Sequence, residues 1–124
     1  MSLVPDGLKY TKDHEWTKIE GAVATVGVTD HAQRELGDIV FVELPKVGAV
    51  ISTGKSFGTI EAVKTVAELY APVTGTVTEV NTALSADAGV INQDPYGNGW
   101  IIKVKVDKPS QEGLLEAAAY KALI

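Results

Sequence analysis

The chain has 124 residues, with 11 Lys+Arg against 16 Asp+Glu and a formal net charge of −5. So acidic a chain has no basic stripe to displace counterions from nucleic acid and no attraction for an anionic membrane surface. No apolar run approaches the ~20 residues of a membrane span, and the absence of Cys excludes disulfides, thiolate metal sites and a cysteine nucleophile.

In chain order, the opening Met-Ser-Leu-Val-Pro-Asp lacks the layout of a signal or transit peptide, so a cytoplasmic location is expected. Short segments rich in Val, Ile and Thr then follow at 23–27, 38–43, 56–60, 75–80 and 100–106, several alternating with period two. Gly, Pro and Asn punctuate them at Gly21, Pro45–Gly48, Pro72–Gly75 and Asp94–Gly99. Many short strands so spaced predict a sandwich or barrel. A short helix is expected near 30–36, with Asp30 as N-cap, Gln33 completing a variant capping box and Gly37 ending it. A second helix is expected at about 110–122, capped by Ser110, with Leu114, Leu115, Ala118 and Leu123 towards the core. One weak repeat is visible: Pro45-x-x-Gly48-x-Val50 returns as Pro72-x-x-Gly75-x-Val77, an offset of 72 − 45 = 27 residues. It reads either as two ordinary turns or as a duplicated β-unit. The length suits a single domain over residues 1–124.

Few residues invite catalysis. His14, between Asp13 and Glu15, would have its charged form favoured and reads mainly as a surface residue at a strand entry; His31 reads as structural. Two separated His without Cys give no zinc spacing, so no metal is expected. Ser52, Ser56 and Ser85 lack a nucleophile-elbow frame, and Gly97-Asn-Gly99 is a turn rather than a phosphate loop.

The segment Gly58-Thr-Ile-Glu61-Ala-Val-Lys64-Thr-Val-Ala-Glu68 is different. Lys64 stands between two strand-like arms, with Glu61 three residues before it and Glu68 four after. Ala62-Val-Lys-Thr65 holds no Gly, Asn, Asp or Pro, so it is a poor spontaneous turn. Periodicity alone would run one strand through Lys64. A reversal there hints at a functional tip.

Glu61-Ala-Val-Lys64 followed by Leu69-Tyr-Ala-Pro-Val-Thr-Gly75 closely resembles the glycine cleavage H-protein family. So do Lys9–Trp16, Val23–Gln33 running on to Leu36–Pro45, Asp94–Gly97, Gly99-Trp100 and Ala119-Tyr120, which together spread the resemblance from about Leu8 to Tyr120. Ala62 stands where the family commonly has Ser, and Asp13 where it often has Ser. Val63 and Thr65 flank the lysine, where biotin carriers place Met and the lipoyl domains of 2-oxoacid dehydrogenases place Asp and Ala.

The resemblance implies a mainly β barrel-sandwich of the lipoyl/biotinyl-carrier kind: two small antiparallel sheets, a lysine-bearing hairpin at about 57–70, and a C-terminal helix. It implies a non-enzymatic carrier with no catalytic residue. (R)-lipoate would be attached to Lys64, Glu61 would be the lipoylation recognition residue, and Glu15 and Glu68 would line a cleft for the aminomethyl-loaded arm. The implied partners are glycine decarboxylase (P protein), aminomethyltransferase (T protein), dihydrolipoyl dehydrogenase (L protein) and a lipoyl ligase or transferase, with no nucleic acid and no membrane. A chain without Cys would then obtain its only redox-active sulfur pair from the attached group. Two alternatives stand beside this reading: a relay that passes lipoyl groups to other enzymes, and an enzyme using Lys64 as a Schiff-base nucleophile.

Overall fold

The computed structural model describes residues 2–106 and 113–124. Its strands are β1 (Lys9–Tyr10), β2 (Glu15–Glu20), β3 (Val23–Val28), β4 (Ile39–Glu43), β5 (Val50–Ile51), β6 (Ser56–Ala62), β7 (Val66–Tyr70), β8 (Gly75–Val80) and β9 (Ile102–Lys105). Among the described residues, three short helices join them, α1 (Asp30–Leu36), α2 (Ala83–Ala86) and α3 (Val90–Gln93), and a fourth, α4 (Ala117–Leu123), follows the last strand. All pairings are antiparallel, in a six-stranded sheet ordered β1-β2-β3-β9-β8-β5 and a three-stranded sheet ordered β4-β6-β7. The expected two-sheet β architecture is found, and neither sheet closes into a barrel.

Alternation explains the layers. Ala24, Val26 and Val28 of β3, Ile60 of β6, Leu69 of β7, Val77 of β8 and Ile102 and Val104 of β9 bury one face of each strand in a common core. Each large aliphatic side chain so buried contributes roughly 1.5–3 kcal/mol. A second cluster, Val4, Tyr10, Trp16, Ala117 and Tyr120, docks α4 on β1 and β2. Trp16 faces Gly27 across β2–β3, and a Cβ on that glycine would stand 2.6 Å from the indole Nε1. The indole needs a bare backbone beneath it, and its N–H donates to the Pro95 carbonyl at 3.0 Å.

Helix α1 spans the expected residues and ends at Gly37 with φ 78°, but its cap lies one residue earlier than the sequence suggests. The Thr29 hydroxyl accepts from Ala32 N at 3.1 Å. Asp30 is unavailable because its carboxylate accepts from Leu3 N, Gln33 Nε2 and Arg34 Nε. The C-terminal helix also differs. It begins at Ala117, because Leu115 is extended and pairs with Tyr10 (Tyr10 N to Leu115 O 2.8 Å, Leu115 N to Tyr10 O 2.7 Å). Gly113 precedes it at φ 80°. Ser110 lies outside the described residues. The buried face is Ala117 and Tyr120, whereas Ala118 and Leu123 are exposed.

The two copies of the short repeat meet. Val50 pairs with Thr76 and Ile51 with Gly75, while Gly48 N donates to Val77 O and Val77 N to Ala49 O. The repeated turns thus deliver β5 and β8 as antiparallel neighbours, as a local twofold arrangement requires.

Candidate functional site

Lys64 occupies a two-residue reversal. Ala62 N donates to Thr65 O at 2.8 Å, leaving Val63 and Lys64 at the tip between β6 and β7. Among described non-glycine residues only His14 has positive φ, so this turn is not one of the mirror-image types that favour hairpins. Its geometry is held from outside: Val63 N donates to Asp38 O at 3.0 Å, fastening the tip to the start of β4. Lys64 is exposed, unlike the desolvated amine a Schiff-base nucleophile requires, and it makes no ion pair among the described residues.

The lysine stem leans towards the end of α1. A methyl group on Gly37 would stand 3.6 Å from Lys64 Cε, an ordinary van der Waals contact, so the stem lies beside the end of the helix. Glu35 and Leu36, immediately before Gly37, line a cavity of about 160 Å³ with Asp13, Glu15 and Glu68. That is smaller than a drug-sized pocket and suits a small terminal group.

Glu15 is the unusual member. It is 2% exposed and its carboxylate is held by two donors: Thr11 Oγ1, just past β1, donates to Oε1 at 2.6 Å, and Tyr70 N, at the end of β7, to Oε2 at 3.3 Å. Burial dominates and pushes its pKa up to about 7, against the two hydrogen bonds that favour the anion. Glu68 is exposed and accepts a hydrogen bond from Ser56 Oγ. Glu61 is exposed on β6 and lies outside the cavity lining.

Glu15 and Glu68 both line this cavity, whereas Lys64 does not line it and comes near it only through Gly37, next to Leu36. His14 also lines this cavity, and the expectation that neighbouring carboxylates hold its proton fails. Burial, reinforced by His31 with ring centroids 4.7 Å apart, lowers its pKa despite Asp13 and Glu35. Nor is it a simple surface residue: its Nδ1 lies 2.8 Å from Tyr120 Oη, which lies 2.8 Å from Thr29 Oγ1. No spacing in the sequence announces this link, because it joins residues more than 90 positions apart.

The model of the glycine cleavage H-protein family matches residues 8–124. The chain belongs to that family. It is 58% identical over 124 residues to the glycine cleavage system H protein of Chlorobium limicola, covering 98% of this chain and 97% of the relative. It is 52% identical over 122 residues to the Myxococcus xanthus protein of the same name, covering 98% and 95%. The crystal structure of a glycine cleavage system H protein from Mycobacterium marinum superimposes with a TM-score of 0.88 at 43% identity, covering 96% of this chain and 97% of that one. The two-sheet architecture is thus the family's own. No described helix is long and apolar enough to cross a membrane.

Proposed function

We propose that this family member is the lipoyl-bearing shuttle of the glycine cleavage system, a cytoplasmic carrier rather than an enzyme, with (R)-lipoate in amide linkage on Lys64. The observation that carries the reading is the placement of Lys64: an exposed amine on a turn fastened to β4, its stem beside Gly37 at the end of α1, whose neighbours Glu35 and Leu36 line a small cavity together with Glu15 and Glu68. When bound, the lipoyl group supplies a sulfur pair able to cycle between disulfide and dithiol and to take up a one-carbon aminomethyl unit. The partners are then glycine decarboxylase, aminomethyltransferase, dihydrolipoyl dehydrogenase and the ligase or transferase that installs the group, with Glu61 as its recognition residue.

The residues divide the work simply. The Lys64 stem is long and flexible, so it gives reach from a root held in place. Val28, Ile60 and Leu69 on the inner wall of the cavity would shield an end group that enters it from water on that side. Glu15 and Glu68 offer negative charge to an ammonium there. An approaching cation favours the Glu15 anion, so a proton leaves the Glu15 carboxyl when the cavity fills near neutral pH.

The test is intact mass and peptide mapping before and after incubation with a lipoyl ligase, lipoate and ATP. A gain of one lipoyl group on Lys64, absent in Lys64→Ala, supports the carrier; no gain on folded protein, or a gain elsewhere, overturns it.

A further inference from the structure

Strand β4 breaks its own alternation. The register runs Ile39↔Ala62, then Phe41↔Glu61, so Val40 is an extra residue opposite the same stretch of β6. Ile39 and Val42 stay buried, while Val40 and Phe41 both point outward, 55% and 51% exposed. A bulge of this kind re-aims a side chain, and here it puts two adjacent hydrophobes on the outer face of the three-stranded sheet. Phe41, Glu61 and Val66 form one cross-strand row, and Val66 is 58% exposed. Val63, at the tip beside Lys64, is 76% exposed. Four exposed hydrophobes therefore surround the lysine turn.

The charge beside them has one sign. Strands β4, β6 and β7 carry Glu43, Glu61 and Glu68 and no Lys or Arg, so Lys64 is the cation at this end of the sheet, with the exposed Lys46 and Lys55 beyond the far ends of β4 and β6. A second copy of the chain would bring like charges together. A partner with an apolar rim and flanking cations fits.

Reach selects among such partners. An unmodified lysine amine extends only about 6 Å from its own Cα, so an enzyme that acylates it must press its active-site mouth against the surrounding surface. An enzyme acting on the far end of an attached arm need not. We infer that the Val40–Phe41 bulge, with Val63 and Val66, is the docking surface for the lipoyl-attaching acyltransferase. This rests on the carrier reading above. In the step served, the neutral Lys64 amine attacks the carbonyl carbon of an acyl adenylate. The amide C–N bond forms, the acyl–O bond breaks, AMP leaves with the electron pair, and the amine proton passes to solvent.

The experiment uses the full-length, unmodified chain with a lipoate ligase, lipoate and ATP, and follows initial rates by intact mass across protein concentrations. Direct binding of the ligase to the unmodified chain is measured in parallel by calorimetry. The double variant V40S/F41S should raise KM for the protein at least tenfold and weaken binding to match, with Lys64 still the residue modified. V47S/V50S, equally exposed but on β5 and the turn before it, should behave as wild type. F41K, which keeps a long stem but adds a cation, should also raise KM and serves as the second variant should the double one fold poorly. Equal KM and affinity for wild type and both bulge variants overturn the docking surface. A wild-type chain that is never modified at Lys64 overturns instead the carrier reading beneath it. Wild-type dimers that V40S/F41S disperses would assign the patch to a second copy and also overturn the inference.

Discussion

The Glu15 carboxylate on β2 accepts the backbone N–H of Tyr70 at the end of β7. This contact joins a strand of the six-stranded sheet to a strand of the three-stranded one, beside a second cavity that Thr11, Glu15, Tyr70 and Pro72 line. A glutamate is costly to bury as an anion, so its pKa stands at about 7 against an ordinary 4.5. The folded chain therefore holds a proton that the unfolded chain has lost between those values. Stability present below pH 4.5 is lost as pH rises towards 7, by about 3 kcal/mol in total. Glu15→Gln should remove that decline. Chemical denaturation of both forms from pH 4.5 to 8 checks it: the variant should gain on wild type steadily up to pH 7 and not beyond.

The same carboxyl should govern retention of a cationic arm. In the loaded protein, hydrolysis of the aminomethyl group should slow as pH rises through the range in which Glu15 ionises. Glu15→Gln with Glu68→Gln should hydrolyse at least several-fold faster and lose that part of the pH dependence. Ammonia release from loaded protein, followed over time at pH 6 and 8, decides; an unchanged rate in the double variant removes these residues from the role.

His14 titrates in the opposite sense. Its folded pKa lies below the ordinary value of about 6.5, so the folded state resists protonation and stability is lost as pH falls below that value. His14 also has φ 70°, a left-handed conformation that Asn tolerates. His14→Asn should flatten the acid limb of stability between pH 5 and 7 while costing about 1 kcal/mol at pH 8 through the lost contact with Tyr120. Thermal unfolding at the two ends of this range checks both parts.

Gly27→Ala should destabilise by about 1–3 kcal/mol, because the new methyl must displace the Trp16 indole packed against it. Loss of the indole's hydrogen bond to Pro95 should show as a change in Trp16 emission. Val23→Ala, at an exposed position of the same strand, is the control.

Much of this molecule can be read from residue order. Strands β3, β4, β6 and β8 follow short runs rich in Val, Ile and Thr, and α1 follows the turn residues before it and Gly37 after it. Local patterns fail where distant partners decide. Leu115 is helix-compatible by itself, yet β1 offers it a strand partner. Asp30 is a good cap by itself, yet Leu3, Gln33 and Arg34 claim its carboxylate. Helices α2 and α3 are four residues each, too short to show a period. At the candidate site, Lys64, Glu15 and Glu68 are legible through the family resemblance. The link from His14 to Tyr120 is not, because it exists only once α4 has packed. The outward pair on β4 leaves a trace, four consecutive apolar residues from Ile39 to Val42, but only the register shows which of them face out.

That register shift has a further consequence. β4 is an edge strand of its sheet, and a flat apolar edge invites another chain to add as a further strand. The extra residue at Val40 interrupts the regular spacing of backbone donors and acceptors along that edge. The chain can therefore keep Val40 and Phe41 in solvent without offering an amyloid-like template beside them: what they present is side-chain surface for a shaped partner, and not a hydrogen-bonding ladder open to any extended segment.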